Sequence, residues 1–338
     1  MPTFEEHRGL LIGVAYRILG SVADAEDVVQ EAWLRWSGVD EATVRDPKAY
    51  LIRVTSRLAV DRLRWAKSRR ESYVGPWLPE PISTAPDVAE HAELADSVEL
   101  ALLVVLETLS PLERAVFVLR EAFDLPFAEI AEVIGRAEPA TRQLARRARE
   151  HVEEKRPRYE VGRDERRRMT ERFINASANG DIDGLIELLS SGATMVSDGG
   201  GKARAALRVI TGAENVSRYL LSINSPVNIA RFMASIGLAE ISDLSFGMGM
   251  VNNGPAVLIS AGGKVVTVLS LVVSDGKIDT IYLIANPEKL GHLTPATEAG
   301  SDHPAATAGS DHPAGVEEGG EHTAGVEDGG DHPAAPGR

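Results

Sequence analysis

Residues 127–149 read FAEIAEVIGRAEPATRQLARRAR. Ile130 and Ile134 are one helical turn apart and share an inward face. Ala131 is small where two helices would cross closely, and Gly135 stands where a turn between them needs a positive φ. Pro139 suits the early part of a second helix, and Leu144 packs back. That second helix carries Arg142, Gln143, Arg146, Arg147 and Arg149. Such a helix fits the major groove of DNA, with its first side chains on base edges and its arginines on phosphates. A solvated arginine-rich helix of a bundle is the alternative; the small–Gly–apolar spacing with a basic second helix favours DNA. Glu138 at the turn and Thr141 at an inward position are less typical and leave the base preference open.

Working outward, Ser110-Pro111 supplies a cap and an N1 proline for the preceding helix, with Leu112, Val116 and Leu119 inward. Leu94, Val98, Leu102, Val105 and Leu109 form one stripe before it, so 91–155 reads as a helical unit. Residues 71–90 are punctuated by Pro76, Pro79, Pro81 and Pro86, which predicts an extended linker. Residues 1–70 read as all-helical. Phe4, Leu11, Val14 and Ile18 share a stripe, Gly20 ends that helix, and Ser21 caps the next with Asp24 in a capping-box pattern. Val22, Ala25, Val29, Ala32, Trp33 and Trp36 form the next apolar face, leaving Asp24, Glu26, Asp27, Gln30 and Glu31 off it. A third helix runs from Pro47 to about Lys67, with Tyr50, Leu51, Val54, Leu58 and Leu63 inward. Residues 45–70 carry nine bases, among them Arg53, Arg57, Arg62 and Arg64, against Asp46 and Asp61. Tyr50 and Trp65 are interleaved with them, and aromatics beside cations can stack on splayed bases.

After a break near 155–164, residues 164–290 change character. Helices at about 165–178, 181–190 and 211–223 are followed by β-branched runs punctuated by Gly-Gly and Asp-Gly, which predicts helices followed by an antiparallel sheet, an α+β domain. Residues 291–338 hold nine acids against one base in an imperfect Asp-His-Pro repeat. Such a tail lacks the apolar residues to offset folding entropy and is expected to be disordered. The four histidines of its repeats could hold a metal only loosely, and no metal or cofactor site is expected.

The chain has 338 residues, 43% hydrophobic and 25% charged, with no cysteine. That excludes a disulfide scaffold, a Cys-ligated zinc finger, an iron–sulfur site and a thiol nucleophile, and fits a reducing cytoplasm. No apolar run reaches the ~20 residues of a membrane helix, and acids stand where a signal peptide would carry its basic region. The formal charge of −14 argues against a protein that coats nucleic acid over its whole surface, while leaving room for local basic faces.

The order of these features resembles a known family. AEDVVQEAWLRW is similar to the core-polymerase-binding helix of bacterial sigma-70-type factors, PKAYLIRVTSRLAVDRLRW to their −10-reading helix, and residues 109–150 to their −35-reading helix-turn-helix. The lack of other sigma regions between them points to the extracytoplasmic-function (ECF) group. WLPEP at 77–81, DGGGK at 198–202 and NPEKL at 286–290 resemble the ECF subgroup with a SnoaL-like (NTF2-like) C-terminal domain, the mycobacterial sigma factor J type. The resemblance covers 1–290; the acidic repeat falls outside it.

The resemblance implies two all-α sigma domains, a region 2 bundle at 1–70 and a region 4 helix-turn-helix at 91–155, joined by the 71–90 linker. A regulatory α+β domain at 164–290 and the 291–338 tail follow. It implies binding to the β and β′ subunits of core RNA polymerase through Asp24, Asp27, Gln30 and Glu31. Arg53, Arg57, Asp61, Arg62, Arg64 and Trp65 would act at the −10 element, and Thr141, Arg142, Gln143, Arg146 and Arg147 at the −35 element. Catalysis would belong to the polymerase.

Trp77 and Leu78 offer apolar contacts in an extended segment. Asp198, Lys202, Asn286 and Lys289 are therefore expected near the linker and the first domain, holding the sigma domains in a set arrangement. An enzyme or small-ligand domain is the competing reading of 164–290. Residues 152–291 contain no histidine, so Asp198 and Lys202 would have to serve as acid–base groups. The Gly-Gly-Gly run beside them suits a tight turn or an anion nest.

Overall fold

A computed structural model describes residues 2–70, 72–84, 99–155, 161–238 and 244–295. Leu94, Val98 and Pro86, and the tail repeats from 296 on, lie outside the described residues. The first unit is three helices, α1 (Pro2–Leu19), α2 (Val22–Ser37) and α3 (Pro47–Arg70). Phe4, Leu11, Val14 and Ile18 are buried as their spacing requires, and Gly20 breaks α1 at φ +70. Ser21 accepts from the Asp24 amide, but the Asp24 carboxylate does not close a capping box; it turns to Arg62 of α3. The inward stripe of α2 is Val22, Ala25, Val28, Val29, Ala32 and Trp36. Trp33 departs from expectation: with Ala32 and Trp36 filling the stripe, it lies at its border and is 37% exposed.

The second unit comprises α4 (Leu100–Glu107), α5 (Pro111–Phe117) running into a π-helical turn (Val118–Ala122), α6 (Phe127–Ile134) and α7 (Glu138–Lys155). A complete capping box of Ser110 and Glu113 starts α5. Gly135 ends α6 at φ +64, and its amide donates to Ala131 O. The buried side chains of both helical units join in one apolar core that runs from Phe4 to Val152 and includes Ile82 of the linker.

The third unit holds α8 (Arg163–Ala178), α9 (Ile182–Leu188), α10 (Ala213–Ile223) and α11 (Pro226–Ser235). Its sheet contains β1 (Leu189–Asp198), β2 (Ile210–Thr211), β3 (Ser245–Val251), β4 (Gly254–Ala261), β5 (Lys264–Ser274) and β6 (Lys277–Ile284). The order is β2-β1-β6-β5-β4-β3. The fold class is the α+β one expected, with a correction. The sheet is mixed, because β1 leaves the helices early and pairs parallel with β6. Gly262-Gly263 and Asp275-Gly276 turn two hairpins with positive φ, as their sequences predict, and Asn252-Asn253 turns a third that sequence reading missed.

Both faces of the sheet are covered. Helix side chains such as Phe173 and Val216 pack with Met195, Leu269 and Ile281 on one face. On the other, Leu78 of the linker and Leu100 of α4 pack with Leu258, Val268 and Ile284. Leu103 and Leu106 of α4 enter the shared core of the first two units instead. LALLVVLE is apolar on all sides because α4 is buried from two directions.

Candidate nucleic-acid interface and interdomain lock

Arg57, Asp61, Arg64 and Trp65 line the solvent side of α3, with Trp65 56% exposed. The Arg62 guanidinium lies 5.9 Å from the Trp65 ring. It also meets Asp24 at 2.7 Å and Asp27 at 2.7 Å. Burial works against its charge, but the two carboxylates outweigh that and raise its pKa. Residues expected to face polymerase and residues expected to face the −10 element are thus tied together. Asp27, Gln30 and Glu31 stay exposed, whereas Asp24 is half-buried. Leu34, 58% exposed, and Trp33 lie beside them; reading α2 as one apolar stripe hid both. Arg53 is turned toward Glu132 of α6 at 3.4 Å.

On α7, Gln143 and Arg146 are exposed. Arg142 pairs with Glu138 and lies 4.6 Å from the centre of the Phe127 ring. Arg146 meets Glu150, Arg147 meets Glu113, and Arg149 meets Glu121, at 3.2, 3.2 and 2.6 Å. Exposed pairs of this kind contribute at most about 1 kcal/mol, so phosphates can replace the carboxylates. Thr141 does not join this face. It is buried, and its hydroxyl donates to Ala137 O, which makes it a packing residue of the helix-turn-helix.

The three motifs outside the sigma helices converge on one buried carboxylate. Asp198, at the end of β1, is wholly buried. It accepts from the Tyr73 hydroxyl at 2.6 Å, the Leu78 amide at 2.8 Å and Lys289 Nζ at 2.7 Å. Lys289 also donates to Leu78 O and lies 4.0 Å from the centre of the Trp77 ring. Burial pushes its pKa down, against the pull of Asp198. Asn286 donates to the Tyr73 oxygen at 2.8 Å. A Cβ on Gly200 would stand 2.4 Å from Asn286 Nδ2, so that glycine is required by close approach as well as by its φ of +59. Lys202 is exposed and pairs with Glu288, outside the buried cluster. Of the two acid–base candidates, Asp198 is taken up by this buried bonding and Lys202 stands apart from it on the surface.

The linker is tied at its other end too. Glu80 is buried at the start of α2, accepting from Ser21 Oγ at 3.1 Å and the Val22 amide at 2.8 Å. His292 meets Glu80 at 3.3 Å and Pro81 O at 2.7 Å. The turn residue Asn252 donates to the Tyr16 hydroxyl at 2.8 Å and accepts from the Ile82 amide at 3.2 Å. Tyr73, Glu80, Asn252 and His292 were not foreseen, and His292 with buried Leu293 corrects the tail expected to be disordered from residue 291, because its first residues pack on the linker and the sheet. The first two lie within the linker whose neighbours were singled out; only the Asn-Asn-Gly turn signal marked the third.

Two family models match this chain: Sigma-70 region 2 over residues 3–69 and Sigma-70, region 4 over residues 99–152. The ECF RNA polymerase sigma factor SigJ of Mycobacterium tuberculosis is 39% identical over 291 residues, 85% of this chain and 91% of that protein. The chain belongs to the ECF sigma factors. A probable ECF sigma factor of the same organism, SigI, is 36% identical over 85% of this chain and 93% of its own length. The crystal structure of M. tuberculosis SigJ superposes with a TM-score of 0.66 at 36% identity, covering 85% of this chain and 96% of that one. This sigma factor therefore has the two domains by which such proteins bind RNA polymerase and promoter DNA. Among the described residues no helix is long and apolar enough to cross a membrane.

Proposed function

We propose that this sigma factor rests in a closed arrangement held by its third domain, and that regions 2 and 4 part when it engages polymerase and promoter. The observation that carries this reading is the bonding of Asp198 to Tyr73, Leu78 and Lys289, which fastens the linker to the sheet. Helix α3 packs on α6, and α6 on α7. Packed helices are about 8–10 Å apart, so the two reading helices are separated by roughly 20 Å. Promoter elements at −10 and −35 are about 25 base pairs apart, roughly 85 Å of B-form DNA at ~3.4 Å per step. One closed molecule cannot reach both.

In the open state, Asp27, Gln30 and Glu31, with Trp33 and Leu34, form the surface for the β and β′ subunits. Arg57, Asp61, Arg64 and Trp65 act at the −10 element, with Arg53 released from Glu132. Arg142, Gln143, Arg146 and Arg147 act at the −35 element. Arg62 and Asp24 brace the region 2 bundle. The chain itself performs no chemistry, and Trp77, Leu78, Asp198, Asn286 and Lys289 are the lock, with Lys202 at its rim.

Transcription reconstituted with core polymerase tests this. The full chain should direct promoter-specific initiation. Lys289→Met, which frees the linker, should raise the yield when core is limiting. Equal yields for the two proteins would remove the lock from regulation, and no specific transcript from either would remove the sigma assignment of these surfaces.

A further inference from the structure

A cavity of about 290 Å³ lies in the seam between regions 2 and 4. Lys67 and Arg70 of α3, Arg114 of α5 and Glu107 of α4 line its charged side. Glu107 is shared by Arg70 and Arg114, so one carboxylate faces two guanidinium groups. Arg114 is only 1% exposed, and it donates its remaining hydrogen bonds to Arg17 O at the end of α1. Lys67 is exposed and has no carboxylate partner among the described residues. Three cations and one anion therefore line the cavity. Burial and the nearby Arg114 both work against the charge of Arg70, and a second anion would relieve that cost.

The rest of the wall is apolar and includes Leu63, Leu109 and Pro111. Trp77 closes the cavity toward the lock, but its ring is occupied by Arg70 at 3.4 Å and Lys289 at 4.0 Å. That leaves no free aromatic face for a stacked base. The volume is at the low end for ligand sites and suits a molecule of about one ring.

We propose that this seam cavity is a binding site for a small organic anion, a carboxylate or phosphate head carried on a single apolar ring, that stabilises the closed arrangement. The head meets exposed Lys67 in the field of the Arg70 and Arg114 guanidinium groups, whose own hydrogen bonds go to Glu107, Leu19 O and Arg17 O, and the ring lies against Leu63 and Leu109. The proposal rests on the closed arrangement above, because α3, the linker, α4 and α5 wall one cavity only there. A ligand that needs all of them binds the closed state selectively and shifts the population toward it. By linkage, core polymerase must weaken the ligand by the same factor by which the ligand weakens polymerase.

The test is calorimetric titration of the full chain with phenyl phosphate and benzoate at constant ionic strength, with phenol as the uncharged control. Saturable 1:1 binding of at least one anion, no binding of phenol, and at least a tenfold loss in Lys67→Glu with recovery in Lys67→Arg is the expected result. The exposed position of Lys67 keeps both variants folded, which circular dichroism checks. The absence of saturable binding by either anion, or equal affinity in Lys67→Glu, overturns the proposal. Lys67-dependent binding that core polymerase leaves unchanged upholds the cavity as a site and overturns the closed-state reading instead.

Discussion

At the scale of the residue, the decisive group is Asp198, with Lys289 as its buried counterion. Side-chain exposure is 0% for Asp198 and 10% for Lys289, so neither charge is well solvated, and removing one strands the other. Asp198→Asn and Lys289→Met should each lower unfolding stability by about 3–5 kcal/mol. The double variant should lose less than the two combined, because no charge is left buried; urea unfolding of all four proteins measures that coupling. Phenol groups give a pH test. Burial raises the pKa of Tyr16, Tyr73 and Tyr219 above the usual phenol value, and pushes that of Tyr282 up to about 12. A raised folded pKa gives stability that is complete below the unfolded value of about 10 and is lost as pH rises beyond it. Ultraviolet titration should find that these four of the six tyrosines ionise only together with alkaline unfolding. Ionisation of any of the four before unfolding would show that the interior around that phenol is open to water.

Elements show how far the sequence could be read. The helix-turn-helix was legible because Ile130, Ala131, Gly135 and Leu144 each answer to a local rule of spacing or φ. Thr141 was read inward from its spacing and onto the −35 face from the resemblance, and it packs inward because a hydroxyl can satisfy itself on a carbonyl one turn back. The sheet hairpins announced themselves through Gly-Gly and Asp-Gly. The parallel pairing of β1 with β6 did not, because strands more than 80 residues apart along the chain leave no short-range signal. Helix α4 was read as a single stripe although LALLVVLE has no polar face; only its two burial partners explain that. Within the lock, the motifs and their nearness to the linker were expected, but the bonding partners, the Tyr73 hydroxyl and the Leu78 amide, are a tertiary fact. Gly200 and Gly262 separate its local and tertiary demands. Both have positive φ, +59 and +56, but only a Cβ on Gly200 meets other atoms, Asn286 and the Tyr73 hydroxyl among them. Gly262→Ala should cost only the left-handed strain, ~1–2 kcal/mol. Gly200→Ala should cost more in thermal denaturation and should also speed tryptic cleavage at the end of α3. Equal effects of the two substitutions would mean that the DGGGK loop does not press on the linker.

For the whole molecule, the question is how two DNA-reading units with one common core can serve two separated promoter elements. Their apolar contact is continuous, from α1 through the linker to α7, and the sheet holds α4 and Leu78 from the other side. Opening must therefore break the core contact between α3 and α6, the Arg53–Glu132 pair and the Glu107 bridge to Arg70. Binding to polymerase and DNA has to supply that free energy, and a ligand or partner that favours one arrangement can only shift the balance by its preference for it. The chain has no cysteine, so a pair of introduced thiols reports the distance without background. Glu6→Cys on α1 and Glu154→Cys on α7 place labels at exposed sites of regions 2 and 4. The free protein should give a single short distance. With core polymerase and promoter DNA the distance should lengthen by tens of ångströms, since the elements are roughly 85 Å apart. The Lys289→Met protein should show part of the long population before polymerase is added. A long distance in the free wild-type protein would mean that regions 2 and 4 are already apart, and that the third domain acts on something other than their separation.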